Sequence, residues 1–250
     1  LRSTQIYKRT GNIQLARFEI AARQYYLHFS PKYLFISGGE NPKFSTQKIG
    51  EFYKVDALFL VIGFLIALYL KSRKTTLLLA WAILAPLPSA LAVEAPHAAR
   101  AMFMVGSWHL LAALGAYTLF KLFSEKLGKV LIVIILTPLL VIPLWNYLTD
   151  YYGDYASNFA IEWQYGMKEI TNYVKEHAEY DKVFMTDVRS QPYIFFIFYL
   201  QTTLPEFLET VKLNTGENRG YSTVFSFGRY TFGGWDIIES MPYPEVLYIV

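Results

Sequence analysis

Cysteine is absent from the 250 residues, so the chain forms no disulfide and no thiolate metal site. Charge is scarce as well. Asp, Glu, Lys and Arg make up 17% of the residues, where soluble domains carry about a quarter, while 54% are hydrophobic and 18% aromatic. No charged and apolar leader of the signal-peptide kind opens the chain, and no repeat or low-complexity tract occurs. His28, His97, His109 and His177 are scattered, and none pairs at a metal-ligand spacing. Adjacent acidic residues are also missing. Ser107 has no base and orienting group near it in sequence, so a serine hydrolase has no support.

The apolar residues are concentrated in four runs nearly free of charge: 57–70, 75–93, 101–120 and 130–149. A helix needs roughly 20 mainly apolar residues to cross the hydrocarbon. The first run reaches that length only with Phe52, Tyr53 and a snorkelling Lys54, and Asp56 then falls near one end. The expected fold is therefore a membrane α-helical bundle of about four transmembrane helices followed by a small α/β extracytoplasmic domain. The expected domains are 1–52, an extracytoplasmic or interfacial helix and loop; 53–149, spans near 53–70, 75–93, 100–120 and 130–149; and 150–250, the α/β domain. Leu1 in place of Met and the strand-like Val246–Val250 lead us to expect a piece of a longer protein, truncated at its C-terminus.

Charge divides the chain in the same place. Residues 1–148 carry a net +10 and residues 149–250 a net −7. The basic half suits anionic head groups or a phosphorylated lipid, and the acidic half suits water. Nucleic acid fits poorly, because the basic residues flank the runs instead of forming one stripe. Lys71-Ser72-Arg73-Lys74 and the loop of Lys121, Lys126 and Lys129 share one side by parity, which the positive-inside rule makes cytoplasmic. The C-terminal domain then faces outside, although eight Lys/Arg against three Glu in residues 1–52 oppose that orientation.

Residues 12–29 place Leu15, Phe18, Ala22, Tyr25, Tyr26 and Phe29 on one helical face, which fits either an interfacial helix or one packed on the protein. Phe35–Pro42 reads as an irregular loop. Pro86, Pro88, Pro138 and Pro143 interrupt spans two and four. In the tail, Trp163, Met167, Ile170 and Val174 predict the buried face of a helix, followed by a strand over Lys182–Thr186. Tyr193–Leu200 is a helix or a strand, and Tyr221–Phe227 and Tyr230–Trp235 read as paired strands around Gly228-Arg229.

The most informative stretch for chemistry is Glu94-Ala95-Pro96-His97-Ala98-Ala99-Arg100. Proline suits the first position of a helix, so His97 and Arg100 are expected on one face of the first turn of span three. That turn's free N–H groups and a bidentate Arg make an anion site at head-group depth. The plainer reading has Arg100 anchoring a helix end, with Glu94 as its ion-pair partner. His109, in mid-span, and Asp187 with Arg189, after a strand, are weaker candidates. A neutral bundle histidine and a solvated turn are the stronger readings of them.

The order Tyr26–Phe35, Gly38-Gly39-Glu40-Asn41-Pro42, Ala85–Leu91 and Pro96-His97-Ala98-Ala99-Arg100 resembles the C-terminal half of bacterial GT-C glycosyltransferases, the group of protein O-mannosyltransferases and aminoarabinose transferases. Trp163–Glu169 and Gln191–Ile194 resemble that group's extracytoplasmic tail. The resemblance implies transfer of a sugar from a polyprenyl-phosphate donor to a glycan, lipid or protein acceptor on the outer face of a bacterial plasma membrane. It places the catalytic carboxylate in a first outer loop that would precede Leu1. The residues implied to face the donor phosphate are Arg100, His97, Glu94, Asn41 and Lys43, with Glu40 in the same loop. The resemblance implies no particular cofactor and leaves a divalent metal open. The alternative from another class is a non-enzymatic membrane anchor that displays its acidic domain to a partner. A transporter ranks below both, since few charges line any path.

Overall fold

The computed structural model describes residues 11–92, 94–122, 126–188, 191–214, 222–234 and 245–249. The chain divides into two compact units, Leu1–Phe159 and Ala160–Val250.

The first unit is helical. Asn12 caps helix α1 (Ile13–Leu27) by accepting from the N–H groups of Gln14 and Leu15 at 2.9 and 3.3 Å. Leu15, Phe18 and Tyr26 of its apolar face are exposed. Its last turn is docked: the Tyr25 hydroxyl donates to the Ile83 carbonyl, and Phe29 lies against Trp108. A π-helical turn (Lys32–Ile36) follows, then the irregular loop that the glycines predict. Helix α2 (Asp56–Leu70) ends at Lys71, whose left-handed φ of 47° turns the chain. Ser72 and Thr75 then close a reciprocal capping box that starts α3 (Arg73–Leu84). The short α4 (Leu87–Ala90) precedes α5 (Met104–Leu122), and the long α6 (Lys126–Tyr152) precedes α7 (Asp154–Asn158).

The expectation of about four spans is corrected. Among the described residues one helical stretch, Gly128–Asn158, is long and apolar enough to cross a membrane, and none of its most apolar part is buried. The other runs fail for separate physical reasons. Helix α2 has 15 residues, so at about 1.5 Å per residue it falls short of a hydrocarbon core of roughly 30 Å. Residues 52–54, counted towards that span, lie outside the helix. In the second run α3 stops after 12 residues, ahead of Pro86 and Pro88. Helix α5 has 19 residues, but Ser107, His109, Tyr117 and Lys121 dilute its apolar character. It also starts at Met104, so residues 98–103, expected within the first turns of span three, form non-helical turns.

Helices α2 and α5 cross with almost no side chain between them. A Cβ on Gly63 would lie 1.8 Å from the Leu111 carbonyl oxygen, and one on Gly115 would lie 1.9 Å from that of Phe59. Leu60, Ala67, Ala82, Met104 and Leu111 fill the core around this crossing, joined by Tyr33, Leu34 and Phe52 from the loop side.

The second unit is built on a five-stranded mixed sheet. After a 3₁₀ turn (Ala160–Trp163), α8 (Met167–Glu176) leads into β1 (Lys182–Thr186), α9 (Tyr193–Leu200), α10 (Leu204–Thr210), β2 (Lys212–Asn214), β3 (Thr223–Phe227), β4 (Tyr230–Gly233) and β5 (Val246–Ile249). The strand order is β2-β3-β4-β1-β5. β1 lies parallel to both β4 and β5, and β3 lies antiparallel to β2 and β4. Strand β1 forms over the predicted residues, and its Val183, Phe184 and Met185 are buried, as a central strand requires. Tyr193–Leu200 is the helix of the two readings, with Phe196 fully buried. Trp163 departs from the predicted helical face: it is exposed, because Gln164 and Gly166 adopt φ of 61° and 95° and separate it from α8. The remaining parts of the predicted hairpin, Tyr221 and Trp235, and the candidate Arg189 lie outside the described residues.

Candidate functional site

The first unit joins Asn41, Glu94, His97 and Arg100, four of the five predicted phosphate-side residues, in one bonded cluster beside a loop that spans 37–52 and also carries Lys43. Gly38 turns the chain with φ 68°, where a Cβ would meet the Ser45 hydroxyl at 2.7 Å. Ser45 in turn donates to the Ser37 carbonyl at 2.7 Å and accepts from the Gln47 N–H at 3.1 Å. Gly39 approaches the segment that carries His97: a Cβ there would stand 3.3 Å from the Pro96 carbonyl oxygen. Asn41 shapes the next turn by accepting from the Lys43 N–H at 3.0 Å.

The side-chain amide of Asn41 donates to Glu94 Oε2 at 3.4 Å, across 53 positions of sequence. The same oxygen lies 3.8 Å from His97 Nε2. His97 is buried, its ring 4.3 Å from that of Phe44, and its Nδ1 accepts from the Arg100 N–H at 3.4 Å. That bond leaves Nε2 as the protonated nitrogen facing Glu94. The Arg100 guanidinium donates to the Glu94 backbone carbonyl at 3.4 Å.

Two parts of the expected arrangement are corrected. Pro96, His97 and Arg100 do not lie in a helical first turn, so no row of free N–H groups backs them; the anion site reduces to side chains. Arg100 also makes no ion pair with Glu94, whose carboxylate is engaged by Asn41 and His97 instead. Among the described residues, the exposed Arg100 charge meets no carboxylate. Lys43 lies on the same loop, and its side chain makes no ion pair among the described residues. Glu40 turns away to Lys32 at 3.8 Å.

Glu51 was not among the sequence candidates. Gly50 is wedged against the backbone of Leu34 and Phe35, and the Glu51 and Phe52 N–H groups donate to Tyr33 and Leu34. This places Glu51 at the mouth of a small cleft with Tyr33, Phe52, Ala98, Met104 and His109. The residue is exposed on its open side, while protein atoms crowd the carboxylate. That crowding pushes its carboxyl up to about 7, against an opposing hydrogen bond from the Gly39 backbone. The only signal in sequence was its position beside a glycine after an irregular loop.

The weaker candidates separate. Ser107 is fully buried and donates to the Met104 carbonyl, as a structural serine does. The His109 ring lies 4.8 Å from Phe52 and bonds to the Val105 carbonyl. His28, one of the four scattered histidines, is completely buried. Its Nδ1 faces the Gln24 carbonyl and its Nε2 the Ser89 hydroxyl, both at 2.8 Å, and burial lowers its pKa. Among the described residues no group of three or more His, Cys, Asp or Glu is arranged to hold a metal ion.

Compared with protein-family models, with curated proteins and with solved structures, the chain finds no match in any of the three.

Proposed function

We propose that this protein is a membrane glycosyltransferase of the GT-C type, moving a sugar from a polyprenyl-phosphate donor to an acceptor at the extracytoplasmic face of a bacterial plasma membrane. One observation carries the reading. Glu94 is held by Asn41 and His97, so the exposed guanidinium of Arg100 rests on a backbone carbonyl with its charge un-neutralised by any described carboxylate. An anchoring role with Glu94 as partner does not account for that arrangement. A phosphate ligand does, because its oxygens match the planar fork. The apolar, unburied stretch Gly128–Asn158 supports a membrane setting.

In the reaction, an acceptor hydroxyl oxygen attacks the anomeric carbon as the carbon–oxygen bond to the donor phosphate breaks. The hydroxyl proton passes to the carboxylate base that the resemblance places in a loop preceding Leu1, and negative charge grows on the leaving phosphate. Arg100 neutralises that charge where it develops. His97 positions Arg100 through its backbone N–H, and Asn41 keeps the Glu94 carboxylate turned away from the guanidinium.

The test is binding of a short-chain polyprenyl phosphate to the protein in detergent micelles. A charge-assisted hydrogen bond contributes about 1.5–3 kcal/mol, or roughly 10- to 100-fold in affinity. Arg100→Ala should weaken binding by that factor and Arg100→Lys should recover part of it. Lys43→Ala should cost less, since a loop lysine is a mobile, hydrated charge. Wild-type affinity in a folded Arg100→Ala variant refutes the phosphate role.

A further inference from the structure

The second unit contains a polar cavity of 290 Å³ between the last turn of α8, the α9–α10 connection and the β3–β4 turn. That volume is near the lower end of small-ligand pockets, about 300–1,000 Å³, so it admits one sugar-sized ring and not an oligomer. Lys175, Gln201, Thr202, Glu206, Arg229 and Tyr230 line it.

The two cations set its character. Arg229 donates from Nη1 to the Ala178 and Tyr180 carbonyls at 3.3 and 2.7 Å, and from Nη2 to the Val174 carbonyl at 2.8 Å. These bonds satisfy one carbonyl in the last turn of α8 and two in the segment just after it, and Lys175 in the same last turn complements the helix dipole. Capping explains why basic residues stand here, but it leaves their charge uncancelled. Neither Lys175 nor Arg229 makes an ion pair among the described residues. Three carbonyls occupy three of the five guanidinium N–H groups, so two donors remain. Around the cations the wall carries an amide, hydroxyls and one carboxylate, groups that bond to hydroxyls in both directions.

We propose that this cavity binds a small hydroxylated anion, a sugar phosphate or a sugar acid, with Lys175 and Arg229 facing its charge and Gln201, Thr202 and Glu206 bonding its hydroxyls. The site belongs to a different unit from the Arg100 cluster, and it does not depend on the transferase reading. It gives this unit a ligand of its own.

Calorimetric titration of the full chain in detergent with glucose 6-phosphate, glucuronate, glucose and inorganic phosphate tests the proposal. At least one charged sugar should bind saturably, with glucose and inorganic phosphate each at least tenfold weaker. Preference for glucose 6-phosphate identifies the sugar phosphate as the ligand, and preference for glucuronate the sugar acid. Lys175→Glu changes an exposed residue and should lower the affinity at least tenfold with the far-UV spectrum unchanged. Glu206→Gln should lower it severalfold. The proposal is overturned by glucose binding as tightly as the charged sugars, by inorganic phosphate alone accounting for the affinity, by wild-type affinity in Lys175→Glu, or by no saturable binding of either charged sugar.

Discussion

Replacing Gly115 by alanine adds one methyl group at the closest approach of α2 and α5, and its cost follows from the geometry. The new Cβ would stand 1.9 Å from the Phe59 carbonyl oxygen and 2.8 Å from the Gly63 nitrogen, both backbone atoms that no rotamer change can move. Ordinary contact begins near 3.4 Å, so the helices must separate by about 1.5 Å along their whole crossing. Overpacking of a tight core costs roughly 1–3 kcal/mol, and a rigid backbone clash belongs at the upper end. Alanine returns about 1 kcal/mol of helix propensity over glycine, which leaves a net loss of roughly 2 kcal/mol. For a chain of this size that lowers the melting temperature by roughly 4–8 °C. Thermal unfolding of the detergent-solubilised protein, followed by far-UV circular dichroism, measures it. Gly106→Ala is the internal control: its Cβ would meet the end of the Trp81 ring at 2.5 Å, but Trp81 is 44% exposed and free to swing aside. Gly106→Ala should therefore be close to neutral. A Gly115→Ala protein as stable as wild type refutes the backbone-to-backbone crossing.

Two shifted titrations should tilt stability in opposite directions. Burial holds His28 below its ordinary 6.5, so the unfolded chain binds the proton more readily; the stability of neutral His28 is full above 6.5 and is lost as pH falls through that value towards the folded one. Glu51 is the reverse case: its folded carboxyl titrates near 7 against 4.5 unfolded, so stability falls as pH rises across that interval and is level above it. Denaturant titrations should show Glu51→Gln gaining on wild type between those values, and an unchanging difference would contradict the crowding of its carboxylate. Ser89→Ala removes the hydroxyl beside His28 Nε2 and should destabilise the fold by about 1–3 kcal/mol, measured by the same titrations; no loss would contradict that pairing. Lys48 reaches both Asp150 and Asp154, while the Tyr155 hydroxyl donates to the Pro42 carbonyl. Lys48→Met should speed amide exchange in residues 42–48 without changing that of α8, and unaltered exchange in the loop would show that the ion pairs do not hold it.

Much of the local structure was legible because it rests on short-range rules. Lys182–Thr186 reads as a strand, and Gly228-Arg229 reads as the turn between two strands. The apolar runs were legible too, but their conversion into spans was not. Composition counts residues, whereas crossing a membrane requires uninterrupted helical length, and that is decided where Pro86 ends one helix and where Met104, instead of Pro96, begins another. The Glu94–Arg100 motif likewise marked the residues, but the ion pair of its plainer reading does not form. Which partner Glu94 takes depends on the loop that brings Asn41 to it from 53 positions away. The cavity of Lys175, Glu206 and Arg229 left no trace in sequence, because its walls come from a helix end, a helix connection and a strand turn. Sequence fixes what each residue is able to do with its near neighbours; only the packed chain decides which distant carbonyl, carboxylate or ring stands opposite it.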